Sequence, residues 1–531
     1  NFGFVSLSTA EGLTAFFHAL NQNSPNVLVL PGYQDRLVNN LVRRSLIHQS
    51  QGDHSLINSQ DVAQKAEHFL KEIISNTLKI DLNTIVNEAA FENYGIDSLM
   101  IIQLNQQLAL HFTDLPKTLF FEYKNLAELI NYFAAHQAVE LSQLNAVPPT
   151  RLRNSINPMS FSQKQLSFGQ QPSQQSDIAI IGVSGRYPQA NDLDEFWENL
   201  KVGKDCISEI PSDRWSVDKY HDTNKDSYGT SYSKWGGFLA DVDKFDPLFF
   251  NISPREATLM DPQERLFLQT AWNTIEDAGY ARTQLAGKKI GVYVGVMYGQ
   301  YQLYGTEQSF VPTNSVFASI ANRVSYFFDF HGPSIALDTM CSSSLTAIHL
   351  ACKSLHDGES ELALAGGVNL SLHPNKYLLL SNGKFLASDG HCRSFGEGGD
   401  GYVPGEGVGA VLLKPLAKAL VDGDHIYAVI KGSQINHGGK TNGYTVPNPN
   451  AQADLIAETY QKAKINPSHV SYLEAHGTGT ALGDPIEITG LNKVFGREGL
   501  EYCSIGSVKS NIGHCESASY ISAFNFSRTT K

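Results

Sequence analysis

The feature that most constrains the fold is a polar tract at residues 137–176. Ser, Gln, Asn and Pro occupy 22 of its 40 positions, and such a composition buries too little apolar surface to fold by itself. We therefore predict a polar flexible linker at 137–176, which divides the 531-residue chain into separately folding parts. A second polar patch, residues 49–60, separates a short N-terminal piece from the region that follows.

The region before the linker, residues 60–136, has the hydrophobic periodicity of a small all-α bundle. A second helix of this bundle is predicted to begin at Asp97 and Ser98, and a last one to span about 126–135. Ten acidic and five basic residues make the bundle acidic. The first helix is predicted over 61–78 with Asp61 as its N-cap, because apolar residues recur there at helical spacing: Ala66, Phe69, Leu70, Ile73 and Ile74.

Beyond the linker, from residue 177 onward, short apolar runs alternate with amphipathic segments. The strand-like runs lie at 178–183, 290–296, 362–368 and 409–416. Alternation of this kind is typical of α/β layering. The sequence therefore predicts a multidomain protein in which a small all-α bundle precedes a layered α/β fold.

Charge, hydropathy and cysteine content exclude several classes of function. The formal net charge is −13, and no run of Lys and Arg is longer than Arg43 and Arg44, so we expect no nucleic-acid partner. No stretch approaches the ~20 apolar residues of a membrane span, and no signal peptide is recognisable, which predicts a cytoplasmic location without membrane binding. None of the six cysteines forms a CxxC pair, so we expect free thiols, no metal site and no disulfide framework.

Ser98 stands in the run YGIDSLMIIQLNQQL, between a glycine-containing loop and an apolar helix. A serine in that place is accessible, and the free N–H groups and dipole of a helix start favour a phosphate. The alternative is that Asp97 and Ser98 only cap the helix. The local pattern alone leaves both interpretations open.

Three clusters beyond the linker carry candidate reactive groups. Cys341 follows an apolar run and precedes an amphipathic helix, whose dipole is expected to lower the pKa of the thiol. His476 and His514 lie in loops rich in small residues, where a substrate can approach closely, and Lys509 stands five residues before His514. Each cluster alone also fits a structural role, as a buried cysteine or a core histidine.

Together these motifs resemble those of modular polyketide synthases. The run around Ser98, with LPKTLFFEY at 115–123, resembles an acyl carrier protein domain over 60–136. The runs DTMCSSSL, EAHGTGT and KSNIGH resemble, in order and spacing, a β-ketoacyl synthase domain over 177–531. The resemblance implies an α/β thiolase-type layered fold for this domain and a homodimer formed through it.

The resemblance also implies a chemistry for each candidate residue. Ser98 would carry a covalent 4′-phosphopantetheine group, attached by a phosphopantetheinyl transferase. Cys341 would take an acyl chain from a carrier domain as a thioester, and malonyl on a second carrier would then lose carbon dioxide. His476 and His514 would donate hydrogen bonds to the enolate oxygen, and Lys509 would support the electrostatics and position of His514.

The segment QINHGGKTNGYTVPNPNAQ at 434–452 resembles ketosynthases of assembly lines whose acyltransferase is a separate protein. Met340, where many relatives carry Ala, and the absence of an acyltransferase-like GxSxG motif agree with this interpretation. We therefore expect decarboxylative chain elongation with malonyl delivered by a carrier. Two alternatives stay open: a carrier and interaction piece without condensing activity, and acyl transfer without elongation, which the presence of His476 disfavours.

Both ends of the chain depart from the family pattern. Residues 9–30 resemble the last helix and strand of a ketoreductase, so we assign 1–36 to a ketoreductase tail without its cofactor loop. Tyr520 stands where related ketosynthases have Gly, and the last residues read FNFSRTTK. We therefore expect the ketosynthase at 177–531 to be C-terminally incomplete and the chain to be a fragment.

Overall fold

The structure, a computed structural model, describes most of the chain. The described residues are 59–78, 80–94, 98–112, 115–116, 118–123, 125–143, 177–306, 315–441, 443, 445–496 and 503–526. The predicted ketoreductase tail, 1–36, and residues 144–176 of the predicted linker lie outside them. Two compact units are present among the described residues: a small unit that contains 59–143 and 437–452, and a large unit that contains 177–436 and 453–526.

The small unit contains a helical bundle, as predicted. Helix α1 begins two residues earlier than predicted, so Asp61 lies inside it and is not its N-cap. The helices are α1 Ser59–Leu78, α2 Ser98–Ala109, α3 Leu119–Glu122, α4 Leu126–His136 and α5 Ala138–Gln143, and short 3₁₀ turns lie at Leu82–Thr84 and Phe91–Tyr94.

The core of the small unit is apolar and continues across its helices. Ala66, Leu70 and Ile74, four residues apart on α1, are at most 1% exposed, and α1 packs against α4. Leu141 of α5 is fully buried in the same core. The bundle thus extends into the first residues that the composition assigned to the linker, because one buried leucine is enough to attach a short helix.

Strands and helices alternate between residues 177 and 526. The strands are β1 Ile178–Arg186, β2 Ser208–Glu209, β3 Trp235–Gly236, β4 Ile290–Gly295, β5 Ser334–Leu337, β6 Leu362–Asn369, β7 Gly407–Pro415, β8 Ala428–Ile430, β9 Tyr472–Glu474 and β10 Ser504–Gly506. The helices are α6 Leu193–Lys201, α7 Pro254–Leu259, α8 Pro262–Asp277, α9 Arg282–Leu285, α10 Phe317–Phe328, α11 Ser343–His356, α12 Asn375–Asn382, α13 Leu416–Asp422, α14 Pro449–Ala463, α15 Gly483–Phe495, α16 Lys509–Ile512 and α17 Ser519–Phe526. Strands β1, β4, β6 and β7 confirm the four predicted apolar runs.

One mixed sheet organises the large unit. Among the described residues its strands lie in the order β5, β4, β6, β7, β1, β8. Strand β4 is parallel to β5 and β6, whereas β7 pairs antiparallel with β6 and β1. Strand β5 therefore lies at one edge of the sheet, directly before the loop that carries Cys341.

Helices cover both faces of this sheet. Neighbouring residues Ile180 and Ile181 of β1 belong to two different apolar clusters, because successive side chains of a strand point to opposite faces. One face packs against α8 and α10, and the other packs against α11 and α17. The helix that follows Cys341 is therefore an internal layer of the fold, in contact with the sheet.

None of the helices in the described part of the chain has the length and apolar character needed to cross a bilayer. All six cysteines have free thiols, and four of them, Cys206, Cys352, Cys392 and Cys515, are buried. Cys341 and Cys503 are partly exposed. A reagent in solution can therefore reach these two thiols more readily than the other four.

Candidate active site

A tight turn between β5 and α11 presents Cys341. Met340, the residue before it, has a φ of +57°, and this left-handed conformation is unfavourable for a residue with a side chain and frequent at functional turns. The Ser343 hydroxyl closes the turn, since it accepts the N–H of Thr339 at 2.9 Å and donates to the Met340 carbonyl at 2.6 Å. Helix α11 begins at Ser343, so the predicted turn before a helix is confirmed.

Two glycines let neighbouring strands approach the site closely. A Cβ atom on Gly295, at the end of β4, would lie 2.7 Å from main-chain atoms of Ser343 and Ser344. On Gly367, in β6, a Cβ atom would lie 2.7 Å from the carbonyl oxygen of Ser517. A side chain at either position would therefore displace the start of α11 or the turn that contains Ser517.

Burial dominates the ionisation of Cys341. Desolvation first, and then the Glu516 carboxylate, raise the pKa of the thiol to about 12, against the opposing charge of Lys509. The predicted lowering of this pKa is therefore wrong, because the partial charge of a helix end does not replace the hydration that a buried thiolate loses. At neutral pH the resting site holds a protonated thiol.

His476 lies in the loop after β9, and a carboxylate shapes that loop. Glu487, on α15, accepts the N–H of His476 at 2.6 Å and the N–H of Gly477 at 2.8 Å. Gly477 has a φ of +45°, which glycine adopts without strain. The Nδ1 atom of His476 lies 2.9 Å from the hydroxyl of Tyr520. The EAHGTGT run thus forms a turn whose main chain is fixed by one acidic side chain.

His514 follows α16 and is 1% exposed. Its N–H donates to the Val403 carbonyl at 2.7 Å, and its own carbonyl accepts the N–H of Gly405 at 2.8 Å. The main-chain N–H of Glu516 donates to Nδ1 at 3.2 Å, and the Ser519 hydroxyl lies 2.8 Å from the same atom. Because a main-chain N–H can only donate, Nδ1 is an acceptor, and a neutral ring carries its proton on Nε2. Nε2 is buried and has no hydrogen-bond partner among the described residues.

The two histidines lie beside each other and are both neutral. Their ring centroids are 5.2 Å apart, and the ring planes are nearly perpendicular, at 85°. Burial, with a smaller contribution from Lys509, lowers the pKa of His476 to about 3. Burial also lowers the pKa of His514 well below its usual value, with His476 and then Lys509 adding to the shift. Near neutral pH, two uncharged imidazoles therefore stand side by side.

Lys509 connects the histidines electrostatically to Cys341. The side chain of Lys509 is buried, and its charge lowers the pKa values of Cys341, His476 and His514. Its ammonium lies 5.3 Å from the centre of the Tyr520 ring. The structure thus places the three predicted residues within the field of one buried lysine.

Three further residues belong to this site, and the sequence motifs predict a role for none of them. In the sequence Tyr520 is only a departure from related ketosynthases, whereas in the structure its hydroxyl contacts His476. Lys376 and Glu516 form a fully buried ion pair, but they lie far apart in the sequence, so no local pattern connects them. The available signal was Glu516 itself, an acidic residue two positions after His514 in a run of small residues.

Ser98 belongs to the small unit and is the first residue of α2. This position agrees with the predicted helix start, where free N–H groups and the dipole suit a phosphate. The first turn of α2 contains no acidic residue, and Asp97 directly precedes Ser98 in the sequence. The residues present therefore fit a phosphopantetheine group attached at Ser98.

Three family models match the chain. Residues 68–133 match "Phosphopantetheine attachment site", residues 175–419 match "Beta-ketoacyl synthase, N-terminal domain", and residues 427–526 match "Beta-ketoacyl synthase, C-terminal domain". The chain therefore belongs to the β-ketoacyl synthase family, and a carrier domain that binds 4′-phosphopantetheine covalently precedes its synthase domain.

Among β-ketoacyl synthases, the chain is similar to polyketide synthases. The chain is 52% identical to Polyketide synthase PksL of Bacillus subtilis (strain 168), over 98% of its own length and 12% of that protein. It is 51% identical to Polyketide synthase ThaG of Burkholderia thailandensis, over 85% of its own length and 9% of that protein. The chain is thus similar to polyketide synthases and spans about a tenth of the length of these relatives.

Two solved structures share the fold of the large unit. The oxazolomycin ketosynthase domain OzmH KS7 of Streptomyces albus JA3453 is 57% identical, with a TM-score of 0.64 over 66% of this chain and 62% of that one. The ketosynthase from module 6 of the bacillaene synthase of Bacillus subtilis 168 is 46% identical, with a TM-score of 0.61 over 66% of this chain and 60% of that one. The large unit therefore has the α/β thiolase-type fold of ketosynthases, as the resemblance implies.

Proposed function

We propose that the large unit performs the condensation step of polyketide chain elongation. Cys341 holds the acyl chain as a thioester, and His476 and His514 donate hydrogen bonds. The observation that carries this proposal is the pair of neutral imidazoles, 5.2 Å apart, in the field of the same lysine as Cys341. The matches to both halves of the β-ketoacyl synthase support an acyl-transfer reaction.

In the first step the sulfur of Cys341 attacks the carbonyl carbon of an acyl thioester that a carrier domain delivers. The bond from that carbon to the carrier sulfur breaks, and the acyl chain becomes a thioester of Cys341. A thiol with a pKa of about 12 keeps its proton until the substrate enters. The departing carrier sulfur then takes this proton, so charge and atoms balance.

In the second step a malonyl thioester loses carbon dioxide beside the histidines. The electrons of the broken C–C bond form an enolate, whose oxygen needs hydrogen-bond donors. His514 offers its Nε2–H, which has no other partner within the described ranges, and His476 lies next to it. The enolate carbon attacks the thioester of Cys341, the C–S bond breaks, and the Cys341 thiolate takes a proton from water as the β-ketoacyl thioester leaves.

Ser98 is the proposed attachment point of phosphopantetheine in the small unit. When bound, this group supplies a thiol that holds acyl chains as thioesters. The excess of acidic over basic residues in the bundle, ten against five, favours docking on basic surfaces of partner enzymes. The acyl chain passed to Cys341 comes from a carrier that precedes the synthase domain, and the Ser98 domain occupies that place.

The proposed partners are a malonyl carrier domain, a phosphopantetheinyl transferase, a separate acyltransferase and a second copy of this chain. The edge strand β5 supports a homodimer, because an edge offers main-chain groups for pairing, and Ile335 on it is 41% exposed. Met340, in the loop that follows, is 56% exposed. The separate acyltransferase rests on the resemblance at 434–452. The outer domain boundaries and a cytoplasmic location stay predictions.

Intact-protein mass spectrometry tests the proposal. The full chain is incubated with an acyl thioester and with a malonyl-loaded carrier, and the labelled peptide is identified after digestion. We expect the acyl mass on Cys341, followed by its loss as a β-ketoacyl product appears on the malonyl carrier and carbon dioxide is released.

Two cysteine variants provide the controls. Cys341→Ala should abolish the label, whereas Cys352→Ala, which changes a buried cysteine of the helix that follows Cys341, should retain it. A label on Cys341 without a condensed product would reduce the function to acyl transfer. No label at all would contradict the condensing function and leave only the carrier role of Ser98, which Ser98→Ala and a phosphopantetheinyl transferase test separately.

A further inference from the structure

A buried ion pair lies next to the histidines and has no part in the proposed chemistry. Lys376, on α12, and Glu516, just before α17, are both fully buried and contact each other. Lys376 also donates to Asn369 Oδ1 at 3.1 Å, and its ammonium lies 4.9 Å from the centre of the Tyr298 ring. The Tyr402 hydroxyl donates to Glu516 at 3.1 Å. Both charges are thus held by fixed partners from several segments.

Stability alone does not explain this pair. Two charges taken out of water lose more hydration free energy than their attraction often returns, while removal of one partner leaves an uncompensated buried charge. Such a pair does fix the positions of its two side chains relative to each other. The position of Glu516 matters because its main-chain N–H contacts the ring of His514.

The main chain of Glu516 is in the left-handed region, with a φ of +46°. A residue with a Cβ atom is disfavoured there and stays only where its surroundings hold it. Lys376 and Tyr402 hold the Glu516 side chain from segments distant in sequence. The ion pair therefore opposes relaxation of this residue toward an ordinary backbone conformation.

The left-handed turn aims the N–H of Glu516 at the ring of His514. The N to Nδ1 distance is 3.2 Å, and this donor forces Nδ1 to accept and Nε2 to carry the proton. Without it, the Ser519 hydroxyl would be the remaining neighbour of Nδ1. A hydroxyl can donate or accept, so the tautomer of His514 would no longer be fixed.

We propose that the Lys376–Glu516 ion pair is a positioning device that holds the turn whose N–H selects the His514 tautomer with its proton on Nε2. The inference rests on the proposed function of His514 as a donor to the enolate oxygen. Both members are positioning residues, since they act through His514 and need not touch the substrate. The two charges of the pair act on the pKa of Cys341 in opposite directions, because Glu516 raises this pKa while Lys376 lowers it.

The tautomer of His514 is the first readout, because it does not depend on turnover. The full chain is labelled with ¹⁵N-histidine, and NMR spectra of the ring nitrogens are recorded. The signals of His514 are assigned as those that disappear in the His514→Gln variant. We expect a protonated Nε2 and an unprotonated Nδ1 in the wild type. Lys376→Met is expected to give a mixture of both tautomers.

A matched pair of double variants isolates the main chain of Glu516. Lys376→Met is combined with Glu516→Gly or with Glu516→Ala, so that neither variant leaves an unpaired buried charge. Glycine adopts a positive φ without strain, whereas alanine does not. The Gly variant should therefore retain more of the Nε2-protonated form than the Ala variant.

Kinetics supply the second readout. Lys376→Met should lower the condensation rate about tenfold and change Cys341 acylation by less than about threefold, because only the fraction of His514 in the competent tautomer assists decarboxylation. Lys414→Met is the control, since it removes another buried lysine, which pairs with Asp424 at 2.6 Å. It should leave the tautomer and the ratio of the two rates unchanged.

Three outcomes would overturn the inference: an Nδ1-protonated His514 in the wild type, an unchanged tautomer in Lys376→Met, or no difference between the Gly and Ala double variants. A wild type with the expected tautomer but without condensation would instead contradict the proposed function alone. If Lys376→Met does not fold, Glu516→Gln, which keeps the shape of the side chain and removes its charge, gives the same test.

Discussion

The two histidines of the site are both neutral, but different supports hold them. At His476 a side chain fixes the main chain, because Glu487 accepts two successive N–H groups of the loop. At His514 the main chain fixes a side chain, because the N–H of Glu516 donates to the ring. The first arrangement places a residue, whereas the second also determines where its proton lies.

The hydrogen-bond partners of the two Nδ1 atoms also differ in how strictly they determine the tautomer. Nδ1 of His514 faces a main-chain N–H, which can only donate. Nδ1 of His476 faces the hydroxyl of Tyr520, which can donate or accept. The fold therefore commits His514 to one tautomer, whereas the tautomer of His476 depends on the single hydroxyl of Tyr520.

Loss of either imidazole is expected to have the largest effect. His514→Ala or His476→Ala removes one donor to the enolate oxygen, and loss of such a donor lowers a rate by about 10²–10³-fold. Release of carbon dioxide from a malonyl carrier measures the change. Acylation of Cys341 should be nearly unaffected, and an equal fall in both rates would contradict the assignment of the histidines to the second step.

Glu487→Gln tests the support of the His476 loop. The amide presents an NH₂ group to one of the two main-chain N–H donors, and a donor left without an acceptor costs about 1–3 kcal/mol. We expect a lower melting temperature together with slower condensation. Glu458→Gln, at an exposed position on α14, is the control and should change neither. A normal melting temperature in Glu487→Gln would show that the loop does not depend on this carboxylate.

Acidification is expected to destabilise the large unit through both histidines. Folding lowers their pKa values, so below the unfolded pKa of about 6.5 the unfolded chain binds protons that the folded chain does not. Stability is therefore greatest above that pH and falls as the pH drops toward 3, by at most about 1.4 kcal/mol per pH unit for each histidine. Melting temperatures measured across this range check the slope, which should be shallower in His476→Gln and His514→Gln.

The smallest effect is expected from Tyr520→Phe. This change removes one hydrogen bond to His476 and keeps the aromatic ring, and such a bond contributes about 0.5–1.5 kcal/mol. Condensation should slow by no more than about tenfold, and the ¹⁵N signals of His476 should show a mixture of tautomers while those of His514 stay unchanged. An unaltered His476 spectrum would remove the difference drawn here between the two rings.

Much of the fold could be predicted from the sequence, because short runs of neighbouring residues determine its strands and helix starts. The runs that form β1, β4, β6 and β7 are mainly apolar, with Lys414 as the one charged residue at 178–183, 290–296, 362–368 and 409–416, as expected for strands buried on both faces. The turn before α11 and the helix start at Ser98 are also visible in short motifs. The extension of the bundle by α5 was missed, because one buried residue, Leu141, decides it against a polar composition.

The electrostatics of the site could not be predicted in the same way. The raised pKa of Cys341 depends on the desolvation of its sulfur and on a carboxylate, Glu516, from a distant segment. The ion pair of Glu516 with Lys376 likewise forms only after α12 and the turn before α17 have packed. Motifs predict candidate reactive residues, whereas the charges around them follow from tertiary contacts.

The protonated sulfur of Cys341 has a consequence for the idle enzyme. Peroxides and electrophilic metabolites attack thiolates far faster than thiols. Desolvation and the Glu516 carboxylate raise the pKa of this thiol, so the thiol form predominates at pH 7. Although Cys341 is partly exposed, reagents that require a thiolate should therefore react slowly with the unloaded protein.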